Sequence, residues 1–237
     1  MDQQRHDRLE GMIAEIQQRW GTAALQPLSA LTKRPTIAGL LTGFEMLDAV
    51  LGERGIPRGQ TTEIVGKLTS GATTLVYKIV AAAQKQNQYV IYVDLESTFN
   101  DAVYAARCGI NLQQLFLARP ETELEALDIA RDLIQQGSVG VIVLDLGETR
   151  PNMQDLRRLA ALLSRSGCVV LLLMLAGTNT HPQAILKGSS APLCLLVERN
   201  VWVRNHQDIR GYRSDVLIFD HHSPAGKRVT IDIDVDG

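Results

Sequence analysis

Between Thr61 and Leu175 short apolar runs alternate with amphipathic stretches, and that alternation restricts the possible fold more than any other feature of the chain. The runs are Thr61–Val65, Tyr89–Asp94, Leu115–Ala118, Val141–Asp145 and Cys168–Leu175, all of strand length. The stretches between them, around Thr73–Gln84, Asp101–Cys108, Glu121–Gln136 and Asn152–Ser164, carry helical spacing. Strand, helix and strand in this order imply right-handed βαβ crossovers, and therefore an α/β domain whose mostly parallel sheet is flanked by helices. After about Pro192 the pattern changes to strands joined by tight turns. Leu193–Val203, Asp215–Asp220 and Arg228–Asp234 read as an antiparallel extension, the last with Ile231, Ile233 and Val235 alternating with aspartates.

Ahead of this core, Leu9, Met12, Ile13, Ile16 and Trp20 form one apolar stripe on a helix that Gly21 stops, and Thr22–Leu41 reads as a linker or extended arm. The expected organisation is an N-terminal helix and arm over residues 1–40 and a core over 41–237 with its extension after about 192. With 45% hydrophobic and 21% charged residues in 237, the chain can bury a core without metals or disulfides. Its net charge of −2 offers no global basic field for nucleic acid. Cys108, Cys168 and Cys194 lack C-x-x-C spacing and read as core thiols of a reducing compartment. The first twenty residues do not resemble a signal peptide, and the longest apolar run, Cys168–Ala176, is too short to span a bilayer. A cytoplasmic protein without membrane contact is expected.

The segment Gly66-Lys67-Leu68-Thr69-Ser70-Gly71-Ala72-Thr73-Thr74 follows a strand and opens a helix. A phosphate-binding loop has the signature G-x-x-x-x-G-K-[ST] in that context, and Gly66, Gly71 and Thr73 match it. Glycines let backbone N–H groups close around phosphate, and the helix N-terminus favours the anion. Gly66, Lys67, Ser70, Gly71, Ala72, Thr73 and Thr74 are thus the candidate cofactor-binding residues. Ala72, however, stands where lysine delivers its charge to the terminal phosphates. Losing one charge-assisted hydrogen bond costs roughly 1.5–3 kcal/mol in binding, and phosphoryl transfer loses more because it depends on electrostatic stabilisation. Lys67 is the nearest substitute charge, though its backbone position differs; the other reading of the whole segment is a tight strand-to-helix turn.

Here the chain resembles the RecA recombinase family. The resemblance extends from Leu41-Thr42-Gly43-Phe44 with Leu47-Asp48, through Gly55-Ile56-Pro57-Arg58-Gly59 and the loop, to Ala81-Ala82-Ala83-Gln84, Val93-Asp94-Leu95-Glu96, Asp101-Ala102-Val103-Tyr104-Ala105 and Val141-Ile142-Val143-Leu144-Asp145. Gln18-Arg19-Trp20-Gly21 resembles the end of the family's polymerisation helix. The resemblance implies a RecA-type P-loop domain binding ATP or ADP with Mg²⁺. Thr73 and Asp145 would hold the metal, Glu96 would be the catalytic base, and Tyr104 would stack on adenine. From the residues alone, Asp94 and Glu96 also read as a cap and a solvated charge, and Tyr104 as core.

The departures from the family pattern are as informative. The loops that line the DNA axis in the family shrink to about Gly147–Asn152 and Gly177–Pro182. Met174-Leu175-Ala176-Gly177 occupies the place of a coupling glutamine, and Leu217–His222 that of lysines reaching a neighbour's ATP. His221 and His222 point to opposite faces of a strand and do not form a chelate. Arg150 and Lys187, with a sparse group of Arg199, Arg204, Arg210 and Arg213, are the cations available to nucleic-acid phosphate. These losses imply weak or absent nucleotide binding and weak or indirect DNA binding. The expected role is a RecA-like protein of DNA repair, recombination or damage response acting through protein contacts. It resembles the ImuA-like accessory proteins of mutagenic translesion synthesis. A RecA-like or other repair protein, including a translesion polymerase, is the expected partner, with self-association through residues 1–40. The opposing reading is a DNA-dependent ATPase with an atypical loop.

Overall fold

The structure, a computed structural model, describes residues 2–22, 39–52, 55–177, 181, 184, 189, 191–205, 208–220 and 223–234. The chain divides into two units, Met1–Ile37 and Ala38–Gly237. In the first unit the helix α1 spans Asp2–Trp20, beginning before the stripe that signals it. Met12, Ile16 and Trp20 recur every fourth residue and are exposed on it, Trp20 at 70%. The arm expected over Thr22–Leu41 lies largely outside the described residues.

The second unit begins with an antiparallel bridge between Leu40 and Ile56 that brackets the short helix α2 (Glu45–Leu51). Asp48 fixes this entry by accepting from the Thr42 N–H and hydroxyl, both at 2.8 Å, and from the Gly43 N–H. The core then runs β1 (Thr61–Lys67), α3 (Ala72–Lys85), β2 (Val90–Asp94), α4 (Ala102–Arg107), β3 (Leu115–Ala118), α5 (Glu123–Gln136), β4 (Val141–Asp145), α6 (Met153–Leu163) and β5 (Val169–Ala176). Side-chain caps start the helices where their sequences place them. Asp101 accepts from Tyr104 N–H, Thr122 from Glu125 N–H and Asn152 from Gln154 N–H. The chain ends in β6 (Leu193–Asn205), β7 (Asp208–Asp220) and β8 (Ser223–Asp234).

These strands form one eight-stranded sheet in the order β3-β2-β4-β5-β1-β6-β7-β8. Every pair from β3 to β6 is parallel, and only β6–β7 and β7–β8 are antiparallel. One detail corrects the sequence reading: β6 belongs to both regimes, running parallel to β1 over Leu193–Val197 and antiparallel to β7. β7 also begins at Asp208, well before the apolar run that marks it, because Asn205 already pairs with Asp208 across the turn. The polar sequence of that arm hides its strand character.

The central strands β1, β4 and β5 are buried on both faces of the sheet. On one face, α3 packs Leu75, Val76, Ile79 and Val80 against Ile64, Val143, Leu171 and Leu173. On the other, α5 and α6 cover Val93, Ile142, Leu144 and Val170. β1 sits between β5 and β6, so its loop opens beside the point where the sheet changes from parallel to antiparallel. Doubly wound sheets place their ligands outside the carboxyl ends of their parallel strands, the end from which the loop after β1 leaves.

Candidate functional site

β1 carries the chain from a buried strand directly into the loop. Thr69 and Gly71 have positive φ, 65° and 98°, in the tight turn that precedes the start of α3 at Ala72. Glycine is required at both signature positions. A Cβ on Gly66 would fall 2.8 Å from that of Ala72, and one on Gly71 would fall 2.7 Å from Tyr212 Cε2. The Ser70 hydroxyl is buried beneath the loop and accepts from Ala72 N–H at 3.3 Å. Ala72 itself is 1% exposed, so its methyl group faces protein. Thr73 is half-buried in the first turn, and Thr74 is buried.

Lys67 ends β1. By strand alternation its side chain lies on the face of Val65, opposite the face on which Ile64 meets α3. It lines a cleft of about 370 Å³ with Leu68, Thr69, His181 and Arg199. The replacement of the missing charge by Lys67 therefore has no support in the strand geometry.

The candidate carboxylates lie at the carboxyl ends of β2 and β4, and both are engaged by protein groups. Asp145 is 1% exposed. Its Oδ2 accepts from the Tyr92 and Thr98 hydroxyls, both at 2.7 Å, and its Oδ1 from Gly147 N–H at 3.2 Å. Burial raises its pKa above the ordinary aspartate range, and these three hydrogen bonds pull it back down. Tyr92 is itself wholly buried, and burial together with Asp145 pushes its phenol well above the usual value. Asp94, beside it, accepts from Thr98 and Phe99 N–H and caps the turn that leaves β2. Glu96 is exposed, and its Oε1 accepts from Glu148 N–H at 2.9 Å and from the Thr149 hydroxyl at 3.3 Å. It thereby ties the end of β2 to the connection after β4, where Gly147 leaves room for its carboxylate.

Tyr104, on α4, is half-buried, with its ring 6.3 Å from that of Tyr77. Its hydroxyl is 2.8 Å from Thr74 Oγ1, to which Tyr212 also donates at 2.6 Å. Arg150 closes the shortened β4–α6 connection: its guanidinium donates to the carbonyls of Leu175 at 2.6 Å, Thr149 at 3.1 Å and Gly147 at 3.4 Å. Lys187, His221 and His222 lie outside the described residues, as does most of the Gly177–Pro182 loop.

With this geometry in hand, the family model for the RecA N-terminal domain matches residues 7–151. The chain belongs to the RecA family. Among its curated relatives, Protein RecA of Chloroflexus aurantiacus is 34% identical over 185 residues, covering 70% of this chain and 52% of that protein. Protein RecA of Chloroflexus aggregans is 35% identical over the same length and the same shares. Protein RecA of Geobacter sulfurreducens is 30% identical over 263 aligned positions, covering 98% of this chain and 78% of that protein. The chain thus spans about half the length of the Chloroflexus relatives it matches. Among the described residues no helix is long and apolar enough to cross a membrane.

A RecA-family member raises the question of whether Mg²⁺ and nucleotide fit these residues. In the loop the Ser70 N–H already donates to the Lys67 carbonyl at 3.0 Å and the Ala72 N–H to the Ser70 hydroxyl at 3.3 Å, which leaves fewer N–H groups to face a phosphate. Among the residues the family pattern would use, Ala72 brings no charge, the Asp145 carboxylate accepts from two hydroxyls and an N–H, and Glu96 Oε1 accepts from the Glu148 N–H. Sequence reasoning missed Tyr92 and Thr98, which engage Asp145, and Tyr212, which engages Thr74. A tyrosine inside the otherwise aliphatic run Val90–Val93 was the one available signal, since a buried phenol needs an acceptor.

Proposed function

We propose that this RecA-family protein has left the hydrolytic cycle and acts in DNA recombination or repair through protein contacts. The observation that carries the reading is Ala72. With no cation at the start of α3, charge building on a transferring phosphoryl group has no partner there. The hydrogen bonds that Asp145 and Glu96 already accept support it, because a metal or a water would have to share those carboxylates with groups of the protein. The Arg150 guanidinium, turned onto three carbonyls, supports weak or indirect contact with DNA.

Protein contacts have two candidate surfaces. α1 exposes Met12, Ile16 and Trp20. β3 is an edge strand whose unpaired side adjoins the exposed Phe116 and Leu117, a template for another chain. Self-association through residues 1–40 and pairing with a RecA-like or other repair protein follow from these surfaces.

Steady-state ATP turnover with and without single-stranded DNA tests the reading. No turnover above the buffer rate is expected. Hydrolysis that disappears on Glu96→Gln would overturn it. Light scattering of the full chain and of a protein lacking residues 1–37 tests the surfaces: the same number of protomers per particle at all concentrations would remove the N-terminal helix from self-association.

A further inference from the structure

β6, β7 and β8 continue as a ribbon past Val197, the last β6 residue that β1 pairs. This ribbon holds the phosphate loop at three points. Arg199 Nη1 donates to the Thr69 carbonyl at 3.1 Å, while its guanidinium lies 4.3 Å from the Trp202 ring centre. The wholly buried Ser214 hydroxyl donates to the Ser70 carbonyl at 2.8 Å. Tyr212, 7% exposed, donates to Thr74 Oγ1 at 2.6 Å, and its ring edge meets Gly71. Tyr104 reaches the same threonine oxygen from α4 at 2.8 Å. Trp202 packs edge-on against Tyr212 with ring centres 5.7 Å apart, which backs the tyrosine from outside.

In a phosphate loop the anion lies against the N–H groups of the loop and of the first helical turn. The rest of a nucleoside phosphate must therefore leave past that turn. Here that turn is roofed at Thr74, which is 4% exposed and on whose side chain two tyrosine hydroxyls converge, while Thr73 beside it is half-buried. We propose that the β6–β7 ribbon is a latch that closes the loop to nucleoside phosphates from within the same chain, with Tyr212 as its bolt. The proposal deepens the non-hydrolytic reading at the same loop, because it places the block at binding rather than at chemistry. Nucleotide would then meet only the fraction of molecules in which the ribbon has lifted, and its apparent affinity falls by that fraction.

Mg·ATP titrations by calorimetry on the full chain, its Ala72→Lys variant and the double variant Ala72→Lys/Tyr212→Ser test the latch. The weakest binding is expected for the first two. The double variant is expected to bind at least about tenfold tighter than Ala72→Lys. Ala72→Lys binding Mg·ATP as tightly as the double variant would overturn the latch. Truncating a buried tyrosine endangers folding, so a second measurement uses Tyr212→Phe, which keeps the ring. Amides of residues 69–76 should exchange with solvent slowly in the free protein and faster in Tyr212→Phe; equal exchange in the two refutes the bolt. ATP bound by the unmodified chain as tightly as by the double variant, without turnover, would sink the latch alone, whereas turnover would sink the functional reading.

Discussion

If Asp145 is structural rather than a metal ligand, Asp145→Ala should be felt through Tyr92. The Tyr92 hydroxyl is wholly buried and donates to Asp145 Oδ2 at 2.7 Å, so removing the carboxylate strands a buried donor at about 1–3 kcal/mol. Thr98 is exposed and turns to water or to Asp94 at little cost. Loss of the Gly147 N–H bond adds about 0.5–1.5 kcal/mol. Removing a desolvated charge works the other way, and the sum is a net loss of about 1–3 kcal/mol. For a folded unit of this size that is a fall in Tm of about 2–12 °C. Tyr92→Phe in the Asp145→Ala background removes the stranded hydroxyl and should restore about 1 kcal/mol or more. Urea denaturation of the wild type, both single variants and the double variant gives the coupling energy. A coupling within about 0.3 kcal/mol of zero would show that the two side chains act independently and would refute the argument. Millimolar Mg²⁺ supplies the complementary arm: it should leave the wild-type midpoint unchanged, whereas a metal-binding Asp145 makes Mg²⁺ stabilising in the wild type and neutral in Asp145→Ala.

Glu63 provides a pH test. Its side chain is 3% exposed on β1, where burial raises its pKa and hydrogen bonds from Ser189 and Cys194, with Arg150 nearby, lower it by less. A carboxyl with a raised folded pKa contributes stability that is complete below its unfolded value and fades as pH climbs through the folded value. Glu63→Gln should therefore gain stability relative to wild type at pH 7 compared with pH 4; a difference that stays constant across that interval, measured by thermal melts, contradicts the assignment. Gly71→Ala should destabilise by about 1–3 kcal/mol, since it strains a left-handed backbone and drives a methyl group into Tyr212. A neutral Gly71→Ala in chemical denaturation would mean that the ribbon does not sit on the loop.

The sequence alone determined the layered α/β fold and the place of the glycine-bearing loop between β1 and α3. Each rests on information local in the chain: strand runs alternating with helical periods, glycines with positive φ, and caps at Asp101, Thr122 and Asn152. Family membership rested on the order and spacing of such local segments. Tertiary structure alone decided what the site residues are engaged in. Asp145 and Tyr92 are 53 residues apart in sequence, Tyr212 and Thr74 are 138 apart, and Ser214 and Ser70 are 144 apart. No periodicity encodes such pairs, because a hydroxyl declares its acceptor only once sheet order has brought two strands side by side. The same holds for β6, whose parallel pairing with β1 leaves no mark on its own sequence: one apolar run can serve either direction. Composition and pattern fixed where a nucleotide would be sought, and packing across the sheet decided which side chains already occupy that face.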